Sequence, residues 1–257
     1  MEREVKLDVS LPESGNLQRW VKVVMAVSFS GGRDSLVVLH MALRKNPDIP
    51  VVYVDTTLTL PECNEYVEWL ADEWGLNLVK ASRLDFYHGE DFWYWVHRKR
   101  FFPRMDCRWC LKLFKIDVLK ILTQLHGIDS MMLGVKLSDN SRRKMWETFS
   151  RIDPSLGVDR ELPILKWSDS QVKAYIKKNK LPVNPCYRIY GHSGNCYYCP
   201  FIRNPKHYLI LKRRHPQLFD KIVEAEEKLG KPSLWGNGKP IWITKLKEQE
   251  FLGGRQP

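Results

Sequence analysis

The sequence has no long hydrophobic run, although 44% of its 257 residues are hydrophobic. No apolar stretch reaches the ~18 residues that a membrane-spanning helix needs. The opening segment MEREVKLDVS also lacks the apolar stretch of a secretory signal peptide. These absences argue against integral membrane functions and lead us to expect a cytoplasmic protein with no membrane partner. The hydrophobic fraction excludes a disordered chain and predicts a folded core.

Acidic residues are comparatively scarce. Lysine and arginine number 41 against 30 aspartates and glutamates, which gives a formal net charge of +11. Such a balance favours an anionic partner, which could be a nucleotide, a nucleic acid or both. A generally basic surface would give the same net charge, so charge alone does not choose between these interpretations.

The segment AVSFSGGRDSLVVLHMAL has the order of a phosphate-binding loop but lacks the lysine that ends the GxxxxGK(S/T) motif. It predicts a buried strand, a glycine turn and a helix. Gly31 and Gly32 permit positive φ and allow backbone N–H groups to face one anion. Ser30 and Ser35 add hydroxyl donors, and the helix start adds its positive dipole end. Asp34 would repel a phosphate, so we expect it to hold Mg²⁺ or to cap the helix.

Apolar runs typical of buried strands alternate with segments of helical periodicity. The predicted strands are VVMAVSF, IPVVYVDTT, LNLVKAS and DSMMLGVK. The predicted helices between them are SLVVLHMALRKN, PECNEYVEWLADEWG and LKLFKIDVLKILTQLHG. This order implies an α/β fold with a doubly wound, mostly parallel sheet. We place this domain at residues 1–183, and a helical, cysteine-bearing C-terminal extension packed on it at residues 184–257.

The loop SFSGGRDS resembles the PP-loop of the adenine nucleotide α-hydrolase-like superfamily. Four further segments resemble, in order, elements of the phosphoadenosine phosphosulfate (PAPS) reductase family. They are VYVDTTLTLPECNEYVEWL, RWCLKLFKID, GVKLSDNSRR and PILKWSDSQVKAYIKKNKLPVNPCY. The resemblance implies an enzyme that binds ATP with Mg²⁺, or alternatively PAPS or adenylylsulfate. Members that use ATP cleave it at the α-phosphate and release pyrophosphate.

The resemblance also implies which residues form the nucleotide site. The phosphates would be held by the loop residues Ser28, Ser30, Gly31, Gly32, Asp34 and Ser35. Asp55 and Thr56 would lie near the nucleotide at the end of the second strand. Gly134 and Lys136 would line the end of the fourth strand, and Arg143 would reach the phosphates or the transferring group. Among these we expect Asp34, Lys136 and Arg143 to be catalytic. Without the motif, Asp55 would be interpreted as a strand-end cap and Arg143 as a solvated surface residue.

The chain departs from the family pattern at three places. Thr57 stands where the family has glycine, so the backbone there would approach a ligand less closely. Lys136 stands where arginine is usual, which weakens bidentate contact with phosphate. Asp139 and Asn140 stand where glutamate and serine are usual.

Two C-x-x-C pairs, CRWC and NCYYC, contribute four of the six cysteines. A cytoplasm keeps thiols reduced, so a disulfide framework is not expected. Four thiolates at this spacing are typical of a metal centre, and the predicted ligands are Cys107, Cys110, Cys196 and Cys199. Spacing alone leaves zinc, an iron–sulfur cluster and a redox dithiol open.

The family resemblance tilts the choice of metal towards a [4Fe–4S] cluster, with zinc as the alternative. Adenylylsulfate reductases and the sulfur-transfer enzymes of DNA phosphorothioation are similar in their cysteine placement. This similarity makes Cys186 a competitor of Cys107 for the place of fourth ligand. We interpret Cys63, in the first turn of a predicted helix, as an ordinary thiol.

No cysteine follows Cys199, whereas sulfonucleotide reductases resemble one another in a C-terminal E-C-G-x-H that supplies the nucleophile. The first hypothesis is therefore an ATP pyrophosphatase-type enzyme that adenylates an acceptor for sulfur transfer. The acceptor would be tRNA, DNA or a sulfur oxyanion, and a sulfur-donor or thiol-reductant protein would be a partner. The second hypothesis is a sulfonucleotide reductase. The third is a non-catalytic nucleotide- or nucleic-acid-binding protein with structural zinc.

Aromatic and basic residues interleave in DFWYWVHRKRFFPR and again in NPKHYLILKRRHP. Stacking rings combined with cations are typical of surfaces that bind single-stranded nucleic acid. A packed aromatic helix with a solvated basic edge would produce the same pattern. On that alternative Phe92, Trp93 and Trp95 belong to the core.

Overall fold

The structure is a computed structural model that describes residues 24–139, 152–236 and 238–249. The strands within these ranges are β1 (Val24–Ser28), β2 (Val51–Asp55), β3 (Leu78–Ser82), β4 (Ile128–Leu133), β5 (Asp159–Glu161), β6 (Leu234–Gly236) and β7 (Lys239–Ile241). The helices of the first half are α1 (Arg33–Leu43), α2 (Pro61–Trp74), α3 (Phe92–Lys99), α4 (Trp109–Leu111) and α5 (Asp117–Leu125). Those of the second half are α6 (Asp169–Lys178), α7 (Cys186–Ile189), α8 (Pro205–Arg214) and α9 (Pro216–Leu229).

The strand β1 lies at the centre of a five-stranded sheet with the order β3-β2-β1-β4-β5. Every pairing in this sheet is parallel. The chain runs outward from β1 to β3 and then returns to pair β4 on the other side of β1. The carboxyl ends of β1 and β4 therefore flank a topological switch point, where open α/β sheets bind ligands. The predicted doubly wound parallel sheet is confirmed. The fifth strand was not predicted because its three residues are polar.

Helices cover both faces of the sheet. Successive residues of a strand point to opposite faces, so each buried strand contributes side chains to two apolar clusters. Val27 and Tyr53 belong to an apolar cluster that includes residues of α1, α2 and α6. Ala26 and Val52 face the other way and belong to a cluster that includes residues of α5. Burial on both faces explains why β1 and β2 have continuous apolar sequences instead of alternating ones.

Two predicted helix boundaries of α2 follow from local chemistry. Pro61 occupies the first turn, where its missing N–H costs no hydrogen bond. Gly75 ends the helix with φ +59°, a left-handed conformation that glycine adopts without strain. The predicted helix before Gly127 is one continuous run from α4 to α5, with a π-helical segment over Lys112–Ile116.

A third apolar cluster joins α3 to α8 and α9. It contains the buried rings of Phe92 and Trp93 together with Tyr208 and Phe219. Residues on both sides of position 183 therefore share one core, and the division of the chain at that position stays a prediction. No helix among the described residues is long and apolar enough to cross a membrane. The cytoplasmic location stays a prediction.

Candidate functional site

The loop between β1 and α1 is held by its own serines. Ser35 donates its hydroxyl to the carbonyl of Gly32 at 3.0 Å and accepts the backbone N–H of Ser30 at 3.2 Å. The hydroxyls of Ser30 and Ser35 are 3.1 Å apart. Gly31 has φ +71°, which turns the chain into the helix. The first turn of α1 then directs its N–H groups and its positive dipole end towards the carboxyl ends of β1 and β4.

Gly134, just beyond β4, allows the backbone to pass directly against this loop. A Cβ atom at position 134 would lie 2.5 Å from the backbone nitrogen of Ser35 and 2.7 Å from the carbonyl carbon of Asp34. Real Cβ atoms do not approach backbone that closely, so only glycine fits. Gly134 therefore lies next to the loop, and a contact between Gly134 and a nucleotide stays a prediction.

Lys136 is buried next to the loop, where it joins two carboxylates. Its Nζ donates to both carboxylate oxygens of Asp34 at 2.8 Å. It also lies 2.7 Å from Oδ1 of Asp169, the first residue of α6. The hydrogen bond from Lys136 lowers the pKa of Asp169. Two of the three predicted catalytic residues therefore contact each other. The third, Arg143, lies outside the described residues.

Asp55 and Thr56 make contacts that shape the loop after β2. The carboxylate of Asp55 accepts the N–H of Thr57 at 2.9 Å and the side-chain amide of Asn64 at 3.0 Å. The hydroxyl of Thr56 donates to the carbonyl of Asn195 at 2.9 Å. Asp55 thus acts as the strand-end cap that the sequence allowed. A nucleotide contact of either residue stays a prediction.

Thr57 has φ +61°, a left-handed conformation that is rare for a β-branched residue. Among the described residues its buried hydroxyl has no hydrogen-bond partner. The left-handed backbone at position 57 therefore explains why the family has glycine there. We expect Thr57→Gly to raise the free energy of unfolding by about 1 kcal/mol, because it removes strain of ~1–2 kcal/mol at the cost of some chain entropy. Urea unfolding measures this change.

The neighbouring Thr56→Gly variant is the control for this substitution. It removes the hydrogen bond to Asn195, so we expect a loss of stability. A destabilised Thr57→Gly protein would contradict the assigned backbone strain.

Two residues of the NPCY segment contact the loop from the other side. The side-chain amide of Asn184 lies 3.1 Å from the carbonyl of Gly31 and 2.8 Å from that of Ser193. The hydroxyl of Tyr187 accepts the backbone N–H of Arg33 at 3.2 Å, and its ring lies beneath the Arg33 guanidinium. The NPCY segment is part of the family resemblance, but the resemblance implies no role for either residue. Their contacts span more than 150 positions, so no local pattern could reveal them.

One mainly apolar cavity of about 230 Å³ joins the loop to the cysteines. Ser28, Ser30 and Thr56 line it on the side of the sheet. Its lining also includes three of the four predicted metal ligands, which are Cys110, Cys196 and Cys199. The aromatic rings of Phe92, Phe114 and Tyr198 form part of the wall. The loop and three of the cysteines therefore line the same cavity.

The thiols in this cavity influence one another. Burial, together with a smaller effect of the nearby Cys199, raises the pKa of Cys110 to about 11 and that of Cys196 to about 12. Burial also raises the pKa of Cys199. Arg108 opposes the shift at Cys110 and Cys199, and Lys115 opposes it at Cys196. Cysteine ligands bind metal as thiolates, and the positive charge of Arg108 and Lys115 favours the thiolate form of these residues.

Cys107 and Cys186 lie apart from this group of thiols. The backbone of Cys107 exchanges two hydrogen bonds with Arg104 in a short turn. Cys186 is fully buried beside Cys63, behind the loop, and the lining of the cavity includes neither. Within the described ranges, no three histidine, cysteine or carboxylate side chains are already arranged around one ion site. The fourth ligand stays a prediction.

A pair of neutral histidines supports the segment that carries Cys196. Nδ1 of His192 accepts the N–H of Gly194 at 3.1 Å, so its proton is on Nε2, which lies 3.1 Å from Nδ1 of His207. Nε2 of His207 in turn lies 2.7 Å from the carbonyl of Tyr197 and donates to it. Burial, together with a smaller effect of the nearby His207, lowers the pKa of His192 to about 4, and burial also lowers the pKa of His207.

Because of this pair we expect stability to fall on acidification. The unfolded chain takes up protons on both histidines near pH 6.5 while the folded state resists them. The free energy of unfolding therefore decreases as the pH falls from 6.5 towards 4. For His192 alone the decrease is about 1–2 kcal/mol at pH 5. Urea midpoints from pH 7 to 5 measure the loss. His192→Gln should flatten the dependence. His126→Gln changes an exposed histidine and should leave the pH dependence of stability as in wild type. Equal pH dependence in the two variants would refute the role assigned to His192.

The aromatic and basic segment is divided between core and surface. Phe92 and Trp93 are buried, and Nε1 of Trp93 donates to the hydroxyl of Tyr197 at 3.1 Å. Trp95 is partly buried against the same cluster. Tyr94 and the three arginines of the segment are exposed, whereas Lys99 is partly buried. The packed-helix interpretation therefore describes the inner face of α3, and the outer face remains basic.

The sequence and fold of this chain are similar to those of known proteins. The sequence model described as phosphoadenosine phosphosulfate reductase domain matches residues 24–200. The uncharacterized protein MJ0066 of Methanocaldococcus jannaschii is 29% identical over 243 residues, covering 91% of this chain and 48% of that protein. A phosphoadenosine 5'-phosphosulfate reductase of Buchnera aphidicola is 25% identical over 170 residues, covering 64% of each. The chain spans about half the length of its Methanocaldococcus relatives.

Among solved structures, the PAPS reductase of Candida auris in a phosphate complex has a TM-score of 0.45 and 19% sequence identity. The similarity covers 64% of this chain and 77% of that one. Similarity at this level says nothing of activity. The family match covers the loop, Gly134, Lys136 and both cysteine pairs. The chain therefore belongs to the phosphoadenosine phosphosulfate reductase domain family, within the PP-loop adenine nucleotide α-hydrolase-like superfamily.

Proposed function

We propose that this chain is an enzyme that cleaves ATP to AMP and pyrophosphate and transfers the adenylyl group to an acceptor for sulfur transfer. One observation carries this proposal. The same cavity is lined by Ser28 and Ser30 of the loop and by the thiols of Cys110, Cys196 and Cys199. An activated acceptor in that cavity would lie between the nucleotide and the sulfur-bearing groups.

The loop and α1 would bind the phosphates, with Ser28, Ser30, Gly31, Gly32 and Ser35 supplying N–H and hydroxyl donors. Lys136 is buried 2.8 Å from Asp34, so it is positioned to neutralise charge that develops on the phosphoryl oxygens. Losing one such contact typically lowers the rate by ~10²–10³. Mg²⁺ would compete with Lys136 for the carboxylate of Asp34.

The proposed step is an in-line displacement. An acceptor oxygen forms a bond to the α-phosphorus, and the bond from that phosphorus to the α,β-bridging oxygen breaks. Pyrophosphate leaves with the electron pair, and the acceptor proton passes to solvent. Hydrosulfide from a sulfur-donor protein would then displace AMP from the acceptor, with no net change of oxidation state.

Cys110, Cys196 and Cys199 would hold a metal centre, with Cys107 or Cys186 as the fourth candidate ligand. A [4Fe–4S] cluster there would supply a site that binds or transfers sulfur, whereas zinc would be structural. Protein purified without oxygen should contain about four irons and four sulfides per chain, if the site follows the usual cluster stoichiometry. One zinc and no iron would support the non-catalytic alternative.

Adenylyl transfer is tested with ATP labelled at the α-phosphate. With tRNA, DNA or a sulfur oxyanion, wild-type protein should transfer the label to the acceptor and release it as AMP when hydrosulfide is added, and unlabelled pyrophosphate is measured separately. Lys136→Met should lose at least ~10² in rate, while Lys178→Met, at an exposed position on α6, should retain it. Formation of ADP with every acceptor would refute the proposal.

A sulfonucleotide reductase is the second candidate, because the family match and the thiols beside the loop both favour it. A cavity thiolate would attack the sulfonyl sulfur and release the nucleoside phosphate. A second thiol would then release sulfite and form a disulfide, which an external dithiol would reduce. Sulfite release from PAPS or adenylylsulfate with dithiothreitol tests this reaction, and its absence would exclude it.

A further inference from the structure

The opening of the cysteine cavity carries an exposed aromatic ring and an exposed cation, one from each C-x-x-C segment. Phe201 follows Cys199 by two positions, lines the cavity and is 54% exposed. Arg108 lies between the two cysteines of the first pair and also lines the cavity. Its guanidinium carbon is 5.7 Å from the centroid of the Phe201 ring. Both side chains therefore lie where a ligand would enter.

Rings and cations continue from this opening along α3. Lys99 lies 5.9 Å from the ring of Trp109, next to Arg108, and 5.1 Å from the ring of Trp95. Arg98 lies 5.1 Å from the same Trp95 ring and donates to the hydroxyl of Tyr94 at 2.8 Å. We call this surface the Phe201 strip. It comprises Tyr94, Arg98, Lys99, Arg104, Arg108 and Phe201.

The Phe201 strip is strongly positive. Arg98, Arg104 and Arg108 are all exposed. Among the strip's described cations, an ion pair is found only for Arg104, whose guanidinium binds Asp106 at 3.1 Å. The remaining cations contact ring faces, which leaves their charge available to an anion. Two rings of the strip, Tyr94 and Phe201, are exposed large side chains.

We propose that the Phe201 strip binds single-stranded nucleic acid, with one base stacked on Phe201 beside Arg108 and the phosphates along the cations of α3. Bases have flat faces that stack on exposed rings, and a phosphate backbone matches a row of cations. A base on Phe201 would be presented to the cavity that holds the loop serines and the thiols. This inference deepens the proposed function and rests on it, since it identifies the acceptor as a nucleic acid.

The test measures fluorescence anisotropy of a labelled 12-nucleotide oligouridylate with the full chain, purified without oxygen and without ATP. Phe201→Ala should weaken binding by about 10-fold, the effect of losing one base stack. Leu125→Ala is the matched control, because Leu125 is also an exposed hydrophobic residue and lies at the end of α5. This variant should bind the oligonucleotide as tightly as wild type. Because Phe201 is exposed, its variant should keep the wild-type melting temperature.

A second comparison separates phosphate contacts from stacking. The double variant Arg98→Ala and Lys99→Ala should reduce the slope of log affinity against log salt by about 1.4, or ~0.7 for each lost contact. Lys177→Ala with Lys178→Ala on α6 should leave the slope unchanged. Any of three results would overturn the inference. The two double variants would change the salt dependence equally, Phe201→Ala and Leu125→Ala would bind the oligonucleotide equally, or wild type would not bind it.

The result is distinguishable from failure of the proposed function. Binding of a fluorescent ATP analogue is measured on the same proteins, and Phe201→Ala should retain it. Oligonucleotide binding without AMP formation would refute adenylyl transfer, but the Phe201 strip would still be a nucleic-acid-binding surface. AMP formation without oligonucleotide binding would refute the strip and favour a small-molecule acceptor or a protein partner.

Discussion

Replacing Gly134 by alanine is expected to lower nucleotide affinity by at least ~10², because a displacement of about 1 Å at a binding site has effects of that size. The new Cβ would lie 2.5 Å from the nitrogen of Ser35 and 2.7 Å from the Cα of Ser35. Both atoms are backbone, so no side chain can rotate to make room. The end of β4 and the first turn of α1 must separate, which displaces the N–H groups of the loop. Calorimetric titration with ATP measures the affinity.

Gly127→Ala is the control at the other end of β4. Gly127 has φ +58°, but a Cβ there would meet no atom within 4 Å. Its variant should lose about 1 kcal/mol of stability from the left-handed backbone and keep wild-type affinity. Gly134→Ala itself should stay folded, with a loss of about 1–3 kcal/mol for overpacking. Normal ATP binding by a folded Gly134→Ala protein would show that the loop is not the nucleotide site.

The second large effect is expected at Glu226 in α9, which is fully buried. Its carboxylate accepts hydrogen bonds from the backbone N–H groups of Ser233, Ile243 and Thr244 at 2.8–2.9 Å. The hydroxyls of Ser233 and Thr244 donate to it at 2.5 and 2.6 Å. The hydrogen bonds of this one side chain therefore hold the start of β6 and the turn after β7 against α9.

Glu226→Gln should lower the free energy of unfolding by about 3–5 kcal/mol. The amide replaces one accepting oxygen with an NH₂ group, which then faces donors, and each lost bond to a charged group is worth about 1.5–3 kcal/mol. In a chain of this length the melting temperature should fall by about 10 °C. Circular dichroism during heating measures the change.

The adjacent residue Glu227 provides the control for Glu226. Its carboxylate is half exposed and pairs with Lys247 at 2.6 Å at the surface. Exposed pairs of this kind contribute about 0–1 kcal/mol, so Glu227→Gln should melt within a few degrees of wild type. Equal melting temperatures for the two variants would contradict the structural role of the buried carboxylate.

The sequence alone determined the sheet and the loop, because both depend on short-range patterns. Continuous apolar runs identified the strands β1 to β4, and the S-G-G-x-D-S motif placed a glycine turn at the start of α1. The side chain of Ser168 caps α6, a local contact that serine at a helix start commonly makes. β5 escaped prediction because DRE carries no apolar pattern, and its pairing with β4 depends on the register of the sheet.

Only the tertiary structure decided which candidate residues share a site. The motifs named Asp34 and Lys136 separately, but their ion pair and its link to Asp169 follow from how β4 and α6 pack against the loop. The two C-x-x-C pairs look alike in sequence. Three of their cysteines line one cavity, whereas Cys107 lies in a short turn and is not part of the lining. Local chemistry fixes turns and strands, whereas distances between remote side chains depend on the packing of the whole chain.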